Sequence, residues 1–162
     1  MSTESRSLIT SRNEFHEALR LAFASAAEVG CREIWLVDAD FNDWPLGERA
    51  VIDHLTQWAH SHRRLTLLAQ TFDDFARRHT RWVEWRRQWA HVVHCRTNTD
   101  IEASRIPTLW LAPGLLMVRL SDPVHHRGIR SAEAADLLHA RETIDAVLQR
   151  SQEAFPATTL GL

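Results

Sequence analysis

The sequence contains no lysine and no tyrosine; all 19 basic residues among its 162 are arginine. The first absence removes several chemistries at once. A Walker A loop needs a lysine on the nucleotide phosphates. Pyridoxal and Schiff-base catalysis need a lysine amine, and protein kinases need a strand lysine. The two cysteines, Cys31 and Cys95, are too few for a disulfide scaffold. The five glycines do not cluster, so neither a dinucleotide fingerprint nor a Gly-x-Ser-x-Gly elbow occurs. No apolar run reaches the length of about 18 residues that a spanning helix requires. The first residues, MSTESRSLITSRNE, lack the apolar centre of a secretory signal, which predicts a cytoplasmic protein.

What is present is ordinary in bulk and uneven in detail. Hydrophobic residues make up 44% of the chain and charged residues 25%, the composition of a globular domain, and the length predicts one domain. The net charge is −2, yet residues 61–96 hold eight arginines against three acids. That segment faces either an anionic partner or simply solvent.

Hydrophobic periodicity predicts alternating helices and short strands. Residues 1–10 are polar and predict a disordered N-terminus. Ser11 and Glu14 have capping-box spacing. Phe15, Leu19, Ala22, Phe23 and Ala26 then recur at helical intervals up to Gly30, a left-handed stop. Ile34 to Ala39 reads as a short buried strand, continuously apolar until it ends in acids. Asn42 or Asp43 is placed to cap the next helix, with Pro45 in its first turn, running to about His60. Leu65 to Ala69 predicts a second strand. A helical region follows to Ala90, changing character near His79-Thr80, and then a weak strand from His91 to Arg96. Pro113-Gly114 suits the turn of a hairpin between Leu109–Ala112 and Leu115–Leu120. Ser121 to Arg130 reads as a loop, and Ser131 caps a last helix to Arg150. The domain therefore spans residues 11–150. Residues 151–162 form a tail, with Phe155, Leu160 and Leu162 expected to dock on the body. This order predicts an α/β sandwich with a mixed, largely parallel sheet flanked by helices.

The runs IWLVDADFNDWPL, RRLTLLAQTFDDFARRHTRWVEWRRQWAHVV and IPTLWLAPGLLMVRL resemble a bacterial family of phospholipase D-like domains without known function. In relatives, such a domain can follow an N-acetyltransferase domain. The resemblance covers nearly the whole chain after residue 11 and implies a phospholipase D-like fold. It also implies a homodimer and association with an acetyltransferase. The catalytic pattern of that fold, His-x-Lys-x(4)-Asp, fails here. With Ala112 at the aspartate place, Pro107 takes the lysine place and Arg105 the histidine place. No catalytic residue carries over, and no cofactor is implied. The leading expectation is a degenerate, non-catalytic domain for binding or scaffolding.

Two alternatives come from other residues. Asp38, Asp40 and Asp43 follow the first central strand, where open α/β sheets bind ligands. Three carboxylates there suit a divalent metal and a metal-dependent phosphoesterase. Strand-end and helix-cap chemistry, with Asp43 holding helix amides, is the favoured competing explanation. The second alternative is a nucleic-acid-binding module in the helix of residues 77–91. Trp82, Trp85 and Trp89 form one helical stripe flanked by Arg78, Arg81 and Arg86. Bases would stack on the tryptophans while arginines follow phosphates. Packing of the stripe on the sheet is the competing expectation, and the overall acidity argues against nucleic acid as a partner. Arg78, Arg81, Arg86 and Arg105 are thus the candidate anion ligands. His91, His94 and Cys95 do not form a metal set, because in a strand His91 and His94 face opposite sides. His125 and His126, adjacent in a loop, also diverge.

Overall fold

The computed structural model describes residues 5–157. The first four residues of the expected disordered N-terminus lie outside the described residues, as do Leu160 and Leu162 of the tail. The first half runs β1 (Arg6–Ile9), α1 (Arg12–Val29), β2 (Glu33–Val37), α2 (Arg49–Trp58), β3 (Arg64–Ala69), α3 (Phe75–Arg78) and α4 (Thr80–Gln88). The second half runs β4 (Val93–Thr97), β5 (Thr108–Ala112), β6 (Leu116–Asp122), β7 (Arg127–Ser131), α5 (Ala134–Leu148) and β8 (Gln152–Glu153). A short 3-10 turn, Ala103–Arg105, precedes β5.

The eight strands form one sheet in the order β1-β7-β6-β5-β2-β3-β4-β8. Only β2–β3 and β3–β4 pair in parallel; the other five pairings are antiparallel. The expected mixed α/β sandwich is present, but the sheet is mostly antiparallel rather than largely parallel. The difference has a local cause. The Pro113-Gly114 hairpin is joined by β7, which forms from residues expected to be loop, and by β1, which forms from residues expected to be disordered. The sequence of β7, RGIRS, shows no apolar alternation because the strand lies only partly covered. Its hydrogen bonds, rather than its side chains, place it between β6 and β1.

Both faces of the central strands are buried, which explains their continuous apolarity. Ile34 and Leu36 of β2 face α1, α2 and α4 within the larger core; Trp35 and Val37 face α5. The α1 periodicity is realised, with Phe15, Leu19, Ala22, Phe23 and Ala26 all buried. Ser11 is its N-cap, accepting from the Glu14 amide at 3.1 Å, while Glu14 reaches back to the Thr10 amide at 2.9 Å. Gly30 ends the helix with φ of 74°, where a side chain would be strained. Ser131 accepts from the Glu133 amide at 3.1 Å and so assists the start of α5. Among the described residues, no helix is long and apolar enough to cross a membrane.

Candidate nucleic-acid interface

Within residues 38–48, Asn42 or Asp43 was expected to cap the next helix, with Pro45 in its first turn. Instead these residues form a loop, and α2 begins only at Arg49. The loop is held by its own carboxylates. Asp38 accepts from the Phe41 amide at 2.9 Å and from the Thr108 hydroxyl at 2.5 Å. Burial raises the Asp38 pKa above the usual carboxylate value, against the pull of these hydrogen bonds. Asp40 accepts from the Asn42 amide at 2.9 Å. Asp43 accepts from Arg12 Nε at 2.7 Å and is also bonded to His126 Nε2. Burial alone would raise the Asp43 pKa, but the His126 and Arg12 contacts outweigh it and lower it. Asp38 and Asp40 are thus engaged by loop amides and Asp43 by the Arg12 and His126 side chains; none of the three caps α2, whose N-cap is Glu48. Among the described residues, no three His, Cys, Asp or Glu side chains converge as a metal site. Asp38, Asp40 and Asp43 do border one cleft, with Phe15, Thr108 and Val124. Its charged lining is acidic, so phosphate is repelled there.

The same loop forms one wall of an arginine groove. Phe41 adopts φ of 61°, a left-handed conformation rare for a bulky residue. Its ring is fully buried against Trp44, Phe72 and Phe75, which over-determines the strained turn. The second wall is α1, where Arg12, His16 and Arg20 recur every fourth residue on one face. His16 Nε2 donates to the Asp43 carbonyl at 2.6 Å. Arg20 binds Glu48 through two parallel bonds of 2.7 and 2.9 Å. The third wall is the α3–α4 junction, where the expected change near His79 is found. Arg81 donates to the Gly47 carbonyl at 2.7 Å.

These elements enclose an open groove of about 570 Å³. Arg12, Arg20, Arg78 and Arg81 line it, and Glu48 is its one acidic lining residue. The histidines add no charge near neutrality. Burial lowers the pKa of both His16 and His79, and adjacent arginines lower them further. Asn13 and Asn42 add amide groups, and Asn42 Oδ1 is buried without a hydrogen-bond partner among the described residues. The arrangement gathers guanidinium donors on one open surface.

Of the four arginines expected to bind anions, Arg78 and Arg81 meet in this groove. Arg86 points the other way, buried, with Nη1 donating to the Phe155 carbonyl. Arg105 lies exposed at the end of the 3-10 turn, outside the groove. The tryptophan stripe is not a stacking platform. Trp82 and Trp85 are buried in the core, and Trp89 is partly covered against it. Sequence reading missed Arg12, Asn13 and Arg20. Their signal was the Arg12-His16-Arg20 spacing on the polar side of α1, masked by the apolar stripe opposite.

No protein-family model matches the sequence, and no curated protein matches it. Solved structures do match in fold. TrmBL2, an archaeal chromatin protein with a novel mode of DNA binding, superposes with a TM-score of 0.66 at 9% identity. The match covers 95% of this chain and 55% of TrmBL2, so this chain spans about half that protein's length. NucT from Helicobacter pylori superposes with a TM-score of 0.55 at 9% identity, covering 92% of this chain and 98% of NucT. These neighbours correct two expectations: the leading one of a non-catalytic binding or scaffolding domain, which gives way to the nucleic-acid alternative, and the one that disfavours nucleic acid as a partner. Net acidity misled because charge acts locally: −2 over the whole chain coexists with a groove lined by four arginines and one glutamate. At this identity the likeness establishes the fold, and the chain has the phospholipase D-like α/β sandwich.

Proposed function

We propose that this protein binds nucleic acid by clamping the sugar-phosphate backbone in the groove between α1, the 38–48 loop and the α3–α4 junction. The convergence of Arg12, Arg20, Arg78 and Arg81 on one open surface carries this reading. The shared fold of a DNA-binding chromatin protein supports it. Arg78 and Arg81 have no carboxylate partner among the described ion pairs, so they are the principal phosphate ligands. Arg12 and Arg20 are held by Asp43 and Glu48, which fixes their direction and partly offsets their charge. No aromatic ring is free in the groove: Trp44 lines it, but is 3% exposed. Recognition therefore rests on phosphate contacts rather than on stacking or base edges, and is indifferent to sequence.

The test is fluorescence anisotropy with duplex and single-stranded oligonucleotides of several sequences, across a salt series. Binding should weaken steeply with salt and vary little with sequence. Arg78→Ala combined with Arg81→Ala should flatten the log–log salt dependence by about 1.8, which is two phosphate contacts on duplex DNA. Wild-type protein that fails to bind at low salt, or a double variant that binds as wild type, would overturn the assignment.

A further inference from the structure

On the opposite flank of α4, a second cationic pocket has a different character. It encloses about 340 Å³ beside the outer edge of β4, where β8 pairs only with Arg96 and Thr97. Arg64, Arg86 and Arg96 line it with His94, and among the described residues Glu153 is the one acid on its wall.

Arg86 is the unusual member. It is 5% exposed, and among the described residues no carboxylate pairs with it. Its Nη1 donates to the Phe155 carbonyl and its guanidinium lies 5.1 Å from the Phe155 ring centroid. Among the described residues its Nε has no hydrogen-bond partner. A buried charge without a counter-ion is costly, and a buried N–H without an acceptor adds to that cost. The neighbouring Cys95 does not neutralise it: burial pushes that thiol up to about 12, so it stays protonated. Arg64 and Arg96 enter from the other side of the sheet, because Arg64, His94 and Arg96 sit on the face opposite Leu65, Val93 and Cys95. Arg96 is oriented by Ser151, through bonds of 2.7 and 2.9 Å. Burial lowers the His94 pKa, and the three arginines lower it further against the pull of Glu153.

We infer that this pocket is a binding site for the phosphate of a small phosphorylated molecule, with Arg86 as its buried counter-charge and Arg64 and Arg96 as its outer clamp. A dianionic phosphate supplies the counter-charge that this cluster lacks and matches guanidinium geometry. The pocket volume exceeds that of a lone phosphate ion, which favours a phosphomonoester of nucleoside monophosphate size over the free ion. The site goes beyond the nucleic-acid reading, and the two share no residue.

The experiment follows thermal unfolding and the NMR titration of His94, with inorganic phosphate, adenosine monophosphate and adenosine, at matched ionic strength. Phosphate-bearing ligands should raise the unfolding midpoint and move the His94 titration upward, because a bound anion offsets the arginines. Adenosine should do neither. Tighter binding of the monophosphate than of phosphate supports a phosphomonoester; equal binding supports the free ion. Arg64→Ala, a change at an exposed position, should weaken phosphate binding about ten-fold or more. Arg86→Leu should abolish the response without lowering the unliganded midpoint, since it removes an uncompensated charge. Unmoved midpoint and His94 titration at millimolar phosphate would overturn the site. So would an Arg64→Ala protein that binds phosphate as wild type. The Arg78/Arg81 double variant should retain the phosphate response, which keeps this test separate from that of the groove.

Discussion

His79 fastens Phe41: its Nε2 donates to the Phe41 carbonyl at 2.8 Å, across 38 residues of chain. A carbonyl only accepts, so the neutral imidazole carries its proton on Nε2. Burial of the ring, and then the nearby Arg78 charge, hold the His79 pKa below its ordinary value of 6.5. A histidine depressed in the folded state binds fewer protons there than in the unfolded chain. Its stabilising contribution is complete above the unfolded pKa and is lost as pH falls through the folded one. His16 and His94 shift in the same direction. Urea midpoints should therefore drop as pH falls from about 7 to about 5. His79→Gln, which keeps a donor but does not titrate, should flatten that slope. An unchanged slope would remove His79 from the account.

Trp89 separates backbone clamping from base stacking. It is the least buried member of the tryptophan stripe, packed at the core margin beside Trp85 with ring centroids 6.5 Å apart. Stacking on an aromatic ring contributes about 1–3 kcal/mol per base. Trp89→Ala should leave nucleic-acid affinity within about two-fold of wild type, far below that range. A ten-fold loss in anisotropy titrations, with an unchanged unfolding midpoint, would restore stacking.

The central layer was legible in the sequence because burial on both sides leaves a plain signature. Ile34–Val37 is apolar throughout, Leu65–Ala69 is apolar but for Thr66, and the Pro113-Gly114 turn names its own hairpin. The outer strands were not legible. β1 and β7 are polar or half-exposed, and only pairing with a neighbour makes them strands. The site was half legible for a similar reason. Sequence clusters the arginines of residues 61–96, but the fold separates them: Arg78 and Arg81 meet α1, whereas Arg64, Arg86 and Arg96 meet at the β4 edge. The aspartates misled because Asp-x-Asp is equally suited to metal and to loop amides. Only the bonds of Asp38 to Phe41 and of Asp40 to Asn42 distinguish the two.

Gly128 shows why β7 is more than a connecting segment. A Cβ at this position would lie 1.8 Å from the Arg119 carbonyl oxygen and 2.7 Å from Leu120 Cα. Both are backbone atoms of β6, so neither moves without breaking the β6–β7 pairing. Gly128 also pairs with Ile9 of β1, so the disturbance reaches the sheet edge. Gly128→Ala should destabilise the protein by about 3 kcal/mol, the upper end of ordinary overpacking. Chemical denaturation measures this directly. A loss under about 1 kcal/mol would mean that β7 tolerates displacement and does not fix the edge.

Glu48 restrains the groove, and its removal has opposite consequences for stability and binding. Its carboxylate is lowered in pKa chiefly by the bonds from Arg20. The pair is over one-third exposed on both sides, at 34% and 39%, so solvent screening leaves it worth less than about 1 kcal/mol of stability. In the groove, however, Glu48 offsets a guanidinium and repels phosphate. Glu48→Gln frees Arg20 to engage a phosphate while keeping the side chain's size. Affinity at low salt should rise, and the log–log salt dependence should steepen by about 0.9, one further phosphate contact on duplex DNA. Weaker binding with an unchanged salt slope would give Glu48 the opposite role. It would then be needed to aim Arg20, and orientation rather than net charge would limit the groove.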